Sequence, residues 1–80
     1  MKLIKYKDKI VVNLDTVTRI ETHSTNSSYS IWFFHHFTYV EENFRGKEEN
    51  FYETTWYFDT AEELEKVYGL ILEKYVDILE

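Results

Sequence analysis

Three histidines, paired carboxylates and a serine-rich loop are the features of this 80-residue chain that could carry metal, acid–base or nucleophilic chemistry. His35 and His36 are adjacent, so on a strand they point to opposite faces and cannot chelate one ion together. His23 stands apart, and no acid is recognisably placed beside any of the three, so the spacing predicts no metal site. His35 is expected as a hydrogen-bonded member of an aromatic core, and His36 as a surface or interface residue. Glu41-Glu42 and Glu48-Glu49 flank a hairpin tip, whereas glycoside hydrolysis needs two carboxylates facing each other in a cleft. Gly46 and Gly69 are the only glycines, too few for a phosphate-cradling loop. Ser24, Ser27 and Ser28 share a loop without the strand–turn–helix setting of an activated serine. The absence of cysteine excludes disulfides, thiolate zinc sites and a cysteine nucleophile. The sequence therefore predicts no catalytic residue, no metal and no cofactor.

What must position these residues is one small domain, 1–80, held together by packing. The chain carries 7 Tyr, 6 Phe and 2 Trp, and 44% of its residues are hydrophobic, which supplies large buried areas and argues against disorder. Residues 2–7 read as an opening strand, with Ile4, Tyr6 and Ile10 on one parity and Lys5, Lys7 and Lys9 on the other, as suits a protected edge. Residues 9–14 read as a second strand. Leu14, Val17 and Ile20 then recur every third residue, the spacing of a single tight helical turn. A strand over 17–23 follows, then a loop from His23 to Ser28 whose side chains bond their own backbone.

The two strands that come next, 29–43 and 48–58, hold most of the aromatics. Odd residues of the first give Tyr29, Ile31, Phe33, His35, Phe37 and Tyr39, and even residues give Trp32, Phe34, His36 and Val40. A two-residue turn at Arg45-Gly46 would pair Phe33 with Phe58 and His35 with Trp56 on one face. On the other face it would pair Phe34 with Tyr57, His36 with Thr55 and Val40 with Phe51.

A helix over 60–79 closes the chain. Thr60-Ala61-Glu62-Glu63 has the form of a capping box, and Leu64, Val67, Tyr68, Ile71, Tyr75, Ile78 and Leu79 form one stripe at helical spacing. Gly69 either permits a close backbone approach or marks a break. The predicted fold is α+β: an antiparallel meander of four to five strands with the helix packed on one face.

One helix covers one face of such a sheet. The other face would expose Trp32, Phe34, His36, Val40, Phe51 and Tyr57, a patch larger than monomers ordinarily present. That face is the predicted interface or ligand surface, and its expected occupant is a second copy of the chain or a flat ligand. A second candidate is the hairpin tip, where Phe44 stands with Arg45 and Lys47 as an insertion finger.

Net charge is −6, with twelve acids and four bases in residues 41–80. That balance disfavours direct nucleic-acid binding, which rests on neutralising phosphates. No stretch approaches the roughly 20 apolar residues of a membrane helix. Lysines also interrupt every apolar run near Met1, so a cytoplasmic location without membrane contact is expected.

The segment Asn13-Leu14-Asp15-Thr16-Val17-Thr18-Arg19-Ile20-Glu21, the central aromatic strand and Phe58-Asp59-Thr60-Ala61-Glu62-Glu63-Leu64 together resemble small bacterial and phage proteins. These pack one C-terminal helix on a β-meander, in the manner of a reduced pleckstrin-homology-like domain. The resemblance implies a non-catalytic binding module, here a homodimer or larger homo-oligomer. It also implies an alternative: a phage-type inhibitor of a host defence protein, acting by sequestering a small nucleotide-like ligand or by acidic mimicry of nucleic acid.

Overall fold

The computed structural model describes residues 2–40 and 47–75, with side chains described for all of these except 37–40 and 47–50. Strands β1 (Leu3–Ile4) and β2 (Val12–Asn13) pair antiparallel as a separate two-stranded sheet, Ile4 opposite Val12. A 3-10 turn, Leu14–Thr16, leads into β3 (Val17–Ser24), β4 (Tyr29–Val40) and β5 (Lys47–Phe58). These three form an antiparallel meander in the order β3-β4-β5, and helix α1 (Ala61–Tyr75) follows. The class is α+β as expected, but the strands divide two and three between two sheets rather than forming one sheet of four to five.

The boundary between the two sheets falls at the 3-10 turn, and within the small sheet β1 and β2 are joined through a turn at Lys7. Its φ of 48° places it in the left-handed region, and Lys9 N–H closes the turn by donating to Tyr6 C=O at 2.9 Å. The expected strands 2–7 and 9–14 therefore shrink to two residues each, and Lys5, Lys7 and Lys9 do not share a strand face. Lys7 instead reaches Glu63 at 2.9 Å. The tight turn read from Leu14, Val17 and Ile20 is present. Asn13 caps it, its side-chain oxygen accepting from Asp15 N–H at 3.0 Å, and Leu14 N–H donates to Lys2 C=O at 2.8 Å. In the loop after β3, Thr25 Oγ1 accepts from the backbone N–H of Ser27 and of Ser28, the local bonding its composition calls for.

β4 and β5 pair with Tyr29 opposite Phe58 and Val40 opposite Lys47. The pairing is four residues away from the expected register: Phe34 faces Glu53 instead of Tyr57, and His36 faces Phe51 instead of Thr55. The register that a two-residue turn at Arg45-Gly46 requires, with Phe34 opposite Tyr57, is not the one observed, and the turn itself lies outside the described residues. Because the shift is even, each described side chain of β4 and β5 keeps its predicted face. Phe44 and Arg45 lie outside the described residues, and Lys47 is the first residue of β5.

The core gathers on the inner face. Ile31, Phe33, Trp56 and Phe58 from the meander meet Leu64, Val67 and Ile71 of α1 and Ile4 and Val12 of the small sheet. Phe33 and Trp56 pack edge to face, centroids 4.9 Å apart, an arrangement favoured by the ring quadrupoles. Trp56 Nε1 donates to Ile10 C=O at 2.7 Å, which satisfies the buried indole and ties the turn after β1 to β5.

At the start of α1, Glu63 N–H donates to Thr60 Oγ1 at 3.1 Å. The reciprocal half of the expected capping box is replaced by another contact: Glu63 Oε2 accepts from Tyr6 Oη at 3.1 Å and from Lys7 Nζ. The helix runs through Gly69 without a break, and a Cβ built there meets nothing within 4 Å, so no close approach explains the glycine. Ile78 and Leu79, expected to extend the stripe, lie outside the described residues.

Candidate functional site: the outer face of the meander

Alternation along β4 divides its rings between two environments. His35 projects inward and is buried. Its Nδ1 lies 2.9 Å from Thr16 Oγ1 and its Nε2 lies 3.0 Å from Thr54 Oγ1. Thr16 spends its hydroxyl proton on Asn13 C=O at 3.0 Å, so its oxygen accepts from Nδ1–H, and Nε2 is left to accept from Thr54. In the neutral ring both nitrogens are thereby satisfied, and it stacks on Tyr52 at 4.2 Å and 5°. Burial pushes its pKa below the ordinary value of 6.5 by disfavouring the charged form. His35 bridges the 3-10 turn and β5, a structural role.

The even residues of β4 face outward together with alternate residues of β3 and β5. β3 pairs Arg19 with Phe34, Glu21 with Trp32 and His23 with Ser30, after a bulge that leaves Thr18 as the extra residue. The result is a set of ring contacts running across the strands. His23 stacks on Trp32 at 4.2 Å, and Trp32 Nε1 donates to Ser30 Oγ at 3.0 Å. The Arg19 guanidinium lies 4.1 Å from the centre of the Phe34 ring, where the negative face of the ring attracts it. His36 stacks on Phe51 at 4.6 Å and 9°. Glu21 sits between the two basic groups of β3, 3.8 Å from Arg19 and 3.5 Å from His23.

These contacts grade the six residues expected to share the face. Trp32, Phe34 and His36 are there but half-buried, because Arg19, His23 and Phe51 lean over them. Phe51 and Tyr57 are 71% and 61% exposed. Val40 pairs with Lys47 in the backbone ladder, and its side chain is outside the description. Sequence reasoning missed Arg19 and His23. Their signal was the polar odd parity Arg19, Glu21, His23 within a strand whose other parity holds Ile20.

A shallow groove of about 590 Å³ opens beside Arg19, lined by Thr18, Phe34, Phe51 and Glu53 and bordered by His35 and Tyr52. It brings flat apolar walls, one cation and one carboxylate together. His36 Nε2 is buried below the surface with no hydrogen-bond partner among the described residues. Among the described residues no three His, Asp or Glu side chains gather as a metal set, and none of the outer-face groups forms a nucleophile–base pair. The face can stack and bury flat apolar surface. No helix among the described residues is long and apolar enough to cross a membrane. Compared with protein-family models, curated proteins and solved structures, the chain matches none.

Proposed function

We propose that this protein is a non-catalytic binding module that works as a homodimer through the aromatic outer face of its meander. The observation that carries the reading is the exposure of Phe51 and Tyr57, 71% and 61%, on the face opposite α1. The half-buried Trp32 and Phe34 already have intramolecular cover, so the contact centres on β5.

Full burial of a large apolar side chain is worth roughly 1.5–3 kcal/mol. Two such rings from each of two protomers, each about two-thirds exposed, supply roughly 4–8 kcal/mol. That is of the order of the freedom lost when two proteins associate, so further contacts must accompany the rings. A two-fold dimer needs only one self-complementary patch, which an 80-residue chain can provide.

Light scattering on a size-exclusion column tests the reading across a concentration series. A mass twice that of the 9.8 kDa chain, returning to one chain on dilution, is expected. A 9.8 kDa species at every concentration refutes it. A second reading, a flat nucleotide-like ligand seated in the groove beside Arg19, gains support if that monomer is stabilised against heat by a nucleotide.

A further inference from the structure

The rings that stack on this meander do so across the strands. His36 lies on Phe51 on the outer face and His35 on Tyr52 on the inner one, so both stacks advance from β4 towards the far side of β5. There they reach an open edge. β5 is twelve residues long, and among the described residues it is laddered to β4 alone. Among the described residues, the main-chain groups along its other side make no ladder. A long edge strand carrying exposed rings is a template for another strand, and pairing there supplies main-chain hydrogen bonds that rings alone do not.

We propose that the occupant of this edge is β5 of a second copy, paired antiparallel about a two-fold axis through Thr54, so that two meanders join into one six-stranded sheet. The inference rests on the self-association reading but replaces stacking of the two outer faces with edge pairing, in which Phe51 and Tyr57 meet side by side across the seam and main-chain hydrogen bonds add to the contact. A two-fold axis normal to the sheet keeps both outer faces on one side only if paired residues have the same parity. With Thr54 on the axis, Phe51 lies opposite the partner's Tyr57, joining the two most exposed rings of the outer face. Glu53 lies opposite the partner's Thr55. On the inner face Tyr52, 48% exposed, comes opposite the partner's Trp56, a buried ring whose indole bonds the backbone carbonyl of the exposed Ile10.

The neighbouring same-parity registers are worse. Placing Glu53 on the axis sets two carboxylates against each other. Placing Thr55 there sets Phe51 against the partner's Asp59 and Tyr57 against the partner's Glu53. Of these three registers, the one through Thr54 alone sets Phe51 against Tyr57 with no charge opposed at the centre.

The chain has no cysteine, so disulfide trapping reads the register directly. Residues directly opposite on antiparallel strands have Cβ atoms about 4.5–5.5 Å apart, close to disulfide reach. Equal positions six residues out of register are separated by roughly 20 Å along the strand. F51C and Y57C, both at exposed positions, are prepared separately and then mixed under mild oxidation. The mixture is expected to give a covalent dimer on a non-reducing gel, while each variant alone stays a single chain.

A companion test uses charge. F51K and Y57E should each weaken the dimer at least tenfold. The double variant should recover it, because each new cation then lies opposite the partner's new anion. Far-ultraviolet circular dichroism checks that every variant is folded. A mixture that light scattering shows to be dimeric but that gives no trapping overturns the edge geometry while leaving self-association standing. So does trapping of either variant alone to the same extent. A wild type that stays a single chain at all concentrations overturns both.

Discussion

Gly69→Ala should stabilise this protein, and the size of the gain follows from what surrounds the glycine. Gly69 is the ninth residue of a fifteen-residue helix, it is exposed, and its φ is not positive. An added Cβ meets no atom within 4 Å, so the methyl neither clashes nor fills a hole, and the change acts on backbone freedom alone. Glycine is disfavoured relative to alanine in a helix interior by about 0.8–1 kcal/mol, chiefly because the unfolded chain has more conformations to lose. The full propensity difference is therefore expected as a gain. For a domain of 60–100 residues, 1 kcal/mol moves Tm by about 4–8 °C. Thermal unfolding followed by circular dichroism at 222 nm measures that shift, and urea titration followed by tryptophan fluorescence measures the free energy independently. The midpoint should rise with an unchanged slope, since the surface exposed on unfolding stays the same. An unchanged or lowered Tm would refute the reasoning. The helix would then not run continuously past residue 69 in solution, or another surface would press against the glycine there.

Buried and exposed rings of the same type should behave oppositely. Phe33, with no exposed surface, should cost about 3–5 kcal/mol on replacement by Ala, most of the stability of a small domain. Phe51→Ala, at an exposed position, should change folding by less than about 0.5 kcal/mol while weakening self-association. Urea denaturation and light scattering on the same samples separate the two effects. The buried His35 makes stability pH-dependent with a definite sign. Its folded pKa lies below 6.5, so the unfolded chain takes up the proton first. The stabilisation is fully present above about pH 6.5 and is lost as pH falls through the folded value. The urea midpoint should decline on acidification from pH 7 to 5, and His35→Gln should flatten that decline. A slope unaltered by the substitution would assign the effect to other groups.

How far the sequence reveals this fold is a question of which signals depend on periodicity and which on a single dihedral angle. The 3-10 turn, the paired long strands and the helix all follow from apolar spacing, because each buries a face and the face repeats. The shortness of β1 and β2 does not. It accompanies a left-handed backbone at Lys7, a conformation uncommon for lysine that no local composition announces. The second half of the capping box fails for a related reason. Glu63 is drawn away from Thr60 by Tyr6 and Lys7, residues more than fifty positions earlier, and the carboxylate's ordinary pKa is lowered chiefly by the Lys7 hydrogen bond. A local motif was outbid by a tertiary contact.

The candidate site shows the same distinction at finer grain. The side of the sheet each ring occupies was legible, since that depends only on parity. Which ring faces which was not, since pairing depends on the length of the connection between β4 and β5. The difference matters chemically. The expected register set Val40 against Phe51 and Phe34 against Tyr57, spreading the exposed rings over β4 and β5 alike. In the observed register Phe34 is opposite Glu53, Tyr57 is opposite Ser30, and Arg19 takes the face of Phe34. Cover has moved to β3, and exposure has been concentrated on β5. A shift of four residues, silent in every parity argument, thereby converts a diffuse apolar face into a strand whose exposed rings stand beside its open edge. The proposed attachment of a second copy rests on this difference, Arg19 and His23 of β3 lying over the rings of β4 while Phe51 and Tyr57 of β5 stay exposed, rather than on the total apolar area.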